Sequence, residues 1–144
     1  IPQDYDLVVP MPSKYWISTI VAKRLARRSR IKVTTDIFQK ITIDQARETL
    51  ENLDLPSQEK RKFDFRLKNQ GNSGGSFSLK EIPTKYRQFF CPLILCNRPQ
   101  ANLKKVLLVD DLLSTGTTLN SAKTLLQPIC IDTEIDAVCL FSQV

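Results

Sequence analysis

At 144 residues, 42% hydrophobic and 25% charged, the chain has the size and composition of one globular domain able to bury its own core. No apolar run approaches the roughly 18 residues that a membrane-spanning helix needs, and the start, Ile1-Pro2-Gln3-Asp4, has neither the basic residues nor the apolar stretch of a secretory signal, so no membrane partner is expected. Lys and Arg number 21 against 15 Asp and Glu, a formal charge of +6 that suits a phosphate-rich small ligand or nucleic acid alike, and the absence of histidine excludes a Ser-His-Asp triad and any histidine metal ligand.

In chain order, Asp6–Pro10 is a short apolar run, β-branched at Val8 and Val9, and reads as a buried strand stopping at Pro10-Met11-Pro12. It begins so near the start that a domain trimmed from a longer protein is expected. Ser13 offers an N-cap, and Ile17, Ile20, Val21 and Leu25 recur at helical spacing behind it. The other face of that helix carries Lys23, Arg24, Arg27 and Arg28; with Arg30 and Lys32 it reads first as a solvated face and second as a nucleic-acid contact. A strand is predicted over 31–38. Ile43, Ala46, Leu50 and Leu53 mark a second helix closed near Pro56.

From Ser57 the periodicity fades. Lys60, Arg61, Lys62, Arg66 and Lys68 are basic and 69–75 is rich in Gly, Asn and Ser, so a flexible segment is expected around 57–76, either a solvated linker or a lid that closes over substrate. Phe77 and Leu79 begin a short strand, and Cys91–Leu95 reads as a strand or part of a lid. Val106–Val109 is an apolar run bounded by charges, as in a central strand buried on both faces. A helix over 116–127 follows, with Leu119, Ala122, Leu125 and Leu126 on one face and Pro128 ending it; Ile135–Phe141 supplies the last strand. Strands alternating with helices predict an α/β fold, a Rossmann-like parallel sheet flanked by helices in a single domain. Cys91, Cys96, Cys130 and Cys139 include no Cys-x-x-Cys pair and read as free thiols, which points to the cytoplasm.

The chemistry-bearing stretch runs from Val106 to Leu119. A hydrophobic strand stops at Asp110 and Asp111, at the carboxyl edge where parallel α/β sheets bind ligands. Ser114, Thr115, Gly116, Thr117 and Thr118 then lead into a helix. Gly116 permits a tight turn; the hydroxyls and the free N–H groups of the helix start are donors suited to a phosphate. One loop thus offers acceptors for hydroxyls and, a few residues on, donors for a phosphate. Simple capping accounts for one Asp or one Thr, not for two carboxylates followed by four hydroxyl residues around a glycine.

This stretch resembles the motif by which type I phosphoribosyltransferases bind phosphoribosyl pyrophosphate (PRPP): an apolar strand, two acidic residues, two variable ones and a hydroxyl residue, then Thr-Gly-x-Thr. The resemblance implies that Asp110 and Asp111 hold the ribose 2- and 3-hydroxyls, as the catalytic pair, and that Ser114 to Thr118 cradle the 5-phosphate. It also implies a pyrophosphate loop after the first strand, here Ser13 and Lys14. Val9-Pro-Met-Pro12, Gln45, Arg66, Asn69 and Gly75-Ser-Phe77 loosely follow the order of the competence-associated ComF-like subgroup, although Ser13-Lys-Tyr-Trp16 stands where that subgroup has an Arg-rich loop. The implied activity is transfer of phosphoribosyl from PRPP to a nitrogenous base or other amine, releasing pyrophosphate, with Mg²⁺ as cofactor and no direct protein ligand to it beyond water-mediated contact from Asp110 and Asp111. The alternative is a PRPP-sensing or catalytically silent module that binds single-stranded nucleic acid; a homodimer is compatible with either. The hood that selects the acceptor in this family is expected to be absent at the C-terminus, leaving residues 80–103 or sequence outside the chain to supply one.

Overall fold

A computed structural model describes residues 4–71, 74–79, 82–113 and 115–142. The elements are β1 (Leu7–Pro10), α1 (Ile17–Ser29), β2 (Lys32–Val33), β3 (Phe38–Lys40), α2 (Ile43–Asn52), α3 (Ser57–Asn69), α4 (Thr84–Arg87), β4 (Leu93–Leu95), β5 (Lys105–Leu113), α5 (Thr117–Leu126) and β6 (Glu134–Ser142). They divide into two compact units, one of Ile1–Gln39 with Leu95–Val144 and the other of Lys40–Ile94, and β3 pairs with β4 in a two-stranded sheet of its own.

The first unit is a four-stranded, wholly parallel sheet in the order β2-β1-β5-β6. Its central strands are the continuous apolar runs Leu7-Val-Val-Pro10 and Val106-Leu-Leu-Val109, buried on both faces as such sequences require. Alternation sends Val8, Leu107 and Val109 to one face, where they pack with Ala22 and Ala26 of α1. Leu7 pairs with Val106 and Pro10 with Val109, so β1 ends level with Val109.

Here the structure corrects four expectations. β5 does not stop at the carboxylates; it continues through Asp110 and Asp111 to Leu113, because the nine-residue β6 offers it a ladder as far as Leu113↔Ser142. Ser13 is not the cap of α1: the N-cap is Trp16, with no side-chain capping bond, and the Ser13 hydroxyl is engaged elsewhere. Nor do Ile17 and Ile20 face the sheet. They are 36% and 54% exposed, while Ser18, Ala22 and Ala26 are buried, small side chains at i, i+4 and i+8 that let the helix lie close to β1 and β5. The strand predicted over 31–38 is reduced to Lys32–Val33, and Phe38 instead opens β3.

The second unit packs α2 and α3 around Ile43, Ala46, Leu50, Phe63, Leu67, Phe77 and Phe90. The second helix is the one read from the sequence, closed at its start by a reciprocal Thr42–Gln45 capping box. The stretch expected to be flexible holds α3 from Ser57 to Asn69, anchored through Phe63 and Leu67 one turn apart and through Asp64, which accepts from Arg47 Nε at 2.6 Å and Lys68 Nζ at 2.8 Å. Phe77 is buried in this core, but among the described residues the pairing there is the isolated Thr42–Ser76 bridge.

Candidate functional site

The sheet order places a topological switch between β1 and β5. From β1 the chain moves through α1 to β2 on one side; from β5 it moves through α5 to β6 on the other. The carboxyl ends of two such diverging strands leave a crevice between their loops, which is where open α/β sheets bind ligands. Both segments singled out in the sequence meet there.

The loop after β1 is fixed to β5 by backbone and side-chain bonds. Met11 N–H donates to Val109 O at 2.8 Å, and the buried Ser18 hydroxyl donates to Met11 O at 2.8 Å. Asp111, two residues beyond Val109, shares the α1 side of the sheet with Leu107 and Val109 by alternation, toward the loop that leads into α1. The Ser13 hydroxyl donates to Asp111 Oδ2 at 2.8 Å across 98 residues of sequence. Asp110 shares the other side with Leu108. It is 9% exposed, and its Oδ1 accepts the Asp111 backbone N–H at 2.9 Å. The two carboxylates therefore diverge from one strand, one buried and one half-buried against a hydroxyl.

Ser114 lies outside the described residues. Thr115, Gly116, Thr117 and Thr118 follow β5 directly, with Gly116 as the N-cap of α5 at φ 69°. Among the described residues a Cβ there would meet Leu113 and Asn120 at ordinary contact distances, so the left-handed backbone is what calls for glycine. The Thr115 and Thr117 hydroxyls share a hydrogen bond of 2.9 Å. Among the described residues no side chain caps α5, and the first bond of that helix is Asn120 N–H to Gly116 O. The N–H groups of Thr117, Thr118 and Leu119 thus stand at an uncapped helix start, with the positive end of the helix dipole behind them. Lys14 sits in the same loop as Ser13, but its ammonium lies 5.5 Å from the Tyr15 ring centre and makes no ion pair among the described residues.

Cys139 was not read as part of this region, since its position on β6 opposite Asp110 depends on strand register. Burial first, and then the charge of the Asp110 and Asp111 carboxylates, pushes its thiol up. In the second unit, Arg66 and Asn69 line an open groove of about 400 Å³ with Gln70, Ser76 and Ser78. Gln70 and Ser78 escaped the sequence reading because their role is local: the Gln70 amide exchanges two hydrogen bonds with the Ser78 backbone, tying the end of α3 to the strand-like segment after it. Gln45, by contrast, is occupied in the capping box.

No protein-family model matches the chain, and no curated protein matches it in sequence.

Proposed function

We propose that the protein binds PRPP and transfers its phosphoribosyl group to a nitrogen nucleophile, releasing pyrophosphate. The observation that carries this reading is the Ser13–Asp111 hydrogen bond at the β1/β5 switch, since it joins the loop proposed for pyrophosphate to the carboxylates proposed for ribose. A carboxylate pair followed by an uncapped helix start suits a ribose 5-phosphate: hydroxyls donate to Asp110 and Asp111, and phosphate oxygens accept from the Thr115–Thr118 amides and hydroxyls.

In the proposed reaction the bond from the anomeric carbon to pyrophosphate breaks with its electron pair leaving on pyrophosphate. A nitrogen lone pair forms the new bond at that carbon, and the proton lost from nitrogen passes to solvent. The sugar is oxocarbenium-like between the two events, as in glycoside cleavage. The chain supplies no nucleophile. Asp110 and Asp111 orient the ribose, and their charge favours the developing cation; Ser13, Lys14 and the α1 start receive the departing anion.

The two carboxylates are hard oxygen donors of the kind Mg²⁺ takes, and among the described residues no cluster of three or more acidic, Cys or His side chains forms a cage. Asp110 and Asp111 would hold such an ion, brought in with the pyrophosphate. When bound, Mg²⁺ supplies positive charge against the leaving group.

The test is pyrophosphate release from PRPP and Mg²⁺ in the presence of a panel of nucleobases and simple amines. Release with at least one acceptor, lost in the Asp110→Asn/Asp111→Asn variant, is the expected result. Binding of PRPP with no release against any acceptor would make the protein a sensing module, and no binding would remove the reading altogether.

A further inference from the structure

The protein's positive charge is not spread over its surface. Residues 13–33 hold seven Lys and Arg and no Asp or Glu, which leaves 14 basic residues against 15 acidic ones elsewhere, a net of −1. The whole excess of +6 therefore resides in one helix and its flanks. Among the described residues none of those seven cations joins an ion pair; the ion pairs belong to Arg47, Lys68 and Lys105. Neutralisation within the fold is thus not what this charge is for.

The helix faces explain where it points. Ser18, Ala22 and Ala26 are buried, with Val21 and Leu25 packed beside them, so the opposite side of α1 is exposed. At i, i+4, i+7 and i+11 that side presents Trp16, Ile20, Lys23 and Arg27, flanked by Arg24 and Arg28, over about 16 Å of helix. Trp16 is 69% exposed and Tyr15 67%. Trp16 also holds a left-handed backbone, φ 57° and ψ 8°, which is uncommon for a bulky residue and costs energy. An aromatic ring kept in water on a strained backbone, at the head of an unpaired cationic row, is not explained by packing.

We infer that this face of α1 binds single-stranded nucleic acid, with Trp16 and Tyr15 stacking on bases and Lys23, Arg24, Arg27 and Arg28 following the phosphates. Cations one helical turn apart beside exposed rings match a strand whose bases are unstacked and whose phosphates run alongside. A duplex offers no free base face to the rings. An anionic membrane fits less well: an interfacial helix needs an apolar face along its length, and in α1 that face is spent on the sheet, while the exposed stripe is wholly cationic from Lys23 onward. The inference rests on charge, exposure and backbone geometry and does not depend on the phosphoribosyl reading.

Trp16 is the chain's single tryptophan, so its fluorescence reports this surface alone. The full chain titrated with oligothymidylate should show quenching of that emission, with affinity falling steeply as salt rises. By anisotropy of a labelled oligonucleotide, Trp16→Ala should weaken binding about tenfold, with most of it restored in Trp16→Phe. The triple variant Arg24→Gln/Arg27→Gln/Arg28→Gln should reduce the slope of log affinity against log salt by about 2. A charge control in the second unit, Arg61→Gln/Lys62→Gln, should bind as the unaltered chain does. Loss in that control equal to the loss in the triple variant, oligonucleotide binding that leaves Trp16 emission unchanged, or tighter binding to phosphatidylserine vesicles with a blue-shifted emission would each overturn the inference, as would no binding at low salt.

Discussion

At the scale of single residues, the site depends on a few positions whose chemistry is set by backbone placement. Asp110 and Asp111 are adjacent on one strand yet serve opposite sides of the sheet, and only Asp111 meets Ser13. Gly116 turns the chain into α5 at φ 69°, with Leu113 and Asn120 no closer to a would-be Cβ than ordinary contact. Gly116→Ala is therefore expected to cost about 1 kcal/mol through backbone strain alone, read as a lowered Tm, and Gly116→Asn to recover part of it, since Asn tolerates the left-handed region. Equal stability of the Ala variant and the unaltered chain would mean that the turn relaxes to negative φ. The residue types of this loop are legible in the sequence because Asp-Asp and Thr-Gly-x-Thr are local. The bond from Ser13 is not legible, because it spans 98 positions and a serine before a helix reads first as a cap.

At the scale of elements, β5 and α1 carry the lesson. The sequence marks both, but not where β5 ends, because strand length here is decided by the partner: β6 extends pairing four residues past the end of β1. For α1 the apolar periodicity allows two faces. The larger residues Ile17 and Ile20 point to one, yet Ser18, Ala22 and Ala26 take the sheet, since close approach to β1 and β5 leaves no room for branched side chains. Ala22 is fully buried, so Ala22→Leu should overpack the interface and lower stability by about 1–3 kcal/mol, whereas Ile20→Ser, on the solvent side, should stay within about 0.5 kcal/mol. Chemical denaturation of both variants checks this; the reverse ranking would mean the helix is turned the other way. Helix α3 was hidden for a different reason. Only Phe63 and Leu67 of its thirteen residues are buried, too narrow a stripe to stand out from the surrounding charge.

At the scale of the whole molecule, sequence and structure agree on a parallel α/β sheet with both faces of the central strands buried, because that signal comes from two continuous apolar runs. The second compact unit was not legible, since its core gathers residues from Ile41 to Phe90 that show no shared period. Each unit has a carboxylate that ties elements together. Asp6 Oδ2 accepts the Lys104 and Lys105 N–H groups at 2.6 and 2.9 Å, joining the starts of β1 and β5; those bonds, that from Lys105 first, hold its carboxyl below the usual range. In the other unit Lys68 and Arg47 do the same to Asp64. A carboxyl depressed in the folded state stabilises it above the unfolded-chain value of about 3.9, and that contribution disappears as pH falls through the folded value. Stability to urea should thus be flat near neutrality and decline below about pH 4, with a shallower decline in Asp6→Asn and Asp64→Asn. An unchanged acid limb in both variants would contradict this assignment.

The account turns on whether the crevice between β1 and β5 accepts a sugar phosphate. Calorimetric titration of the chain with PRPP and Mg²⁺ tests that most directly. Saturable one-to-one binding is predicted, weakened about tenfold by Ser13→Ala, the loss expected from one hydrogen bond to a charged group, and abolished in a folded Asp110→Asn/Asp111→Asn variant. Binding that survives the double substitution, or no heat at all from the unaltered chain, would contradict it.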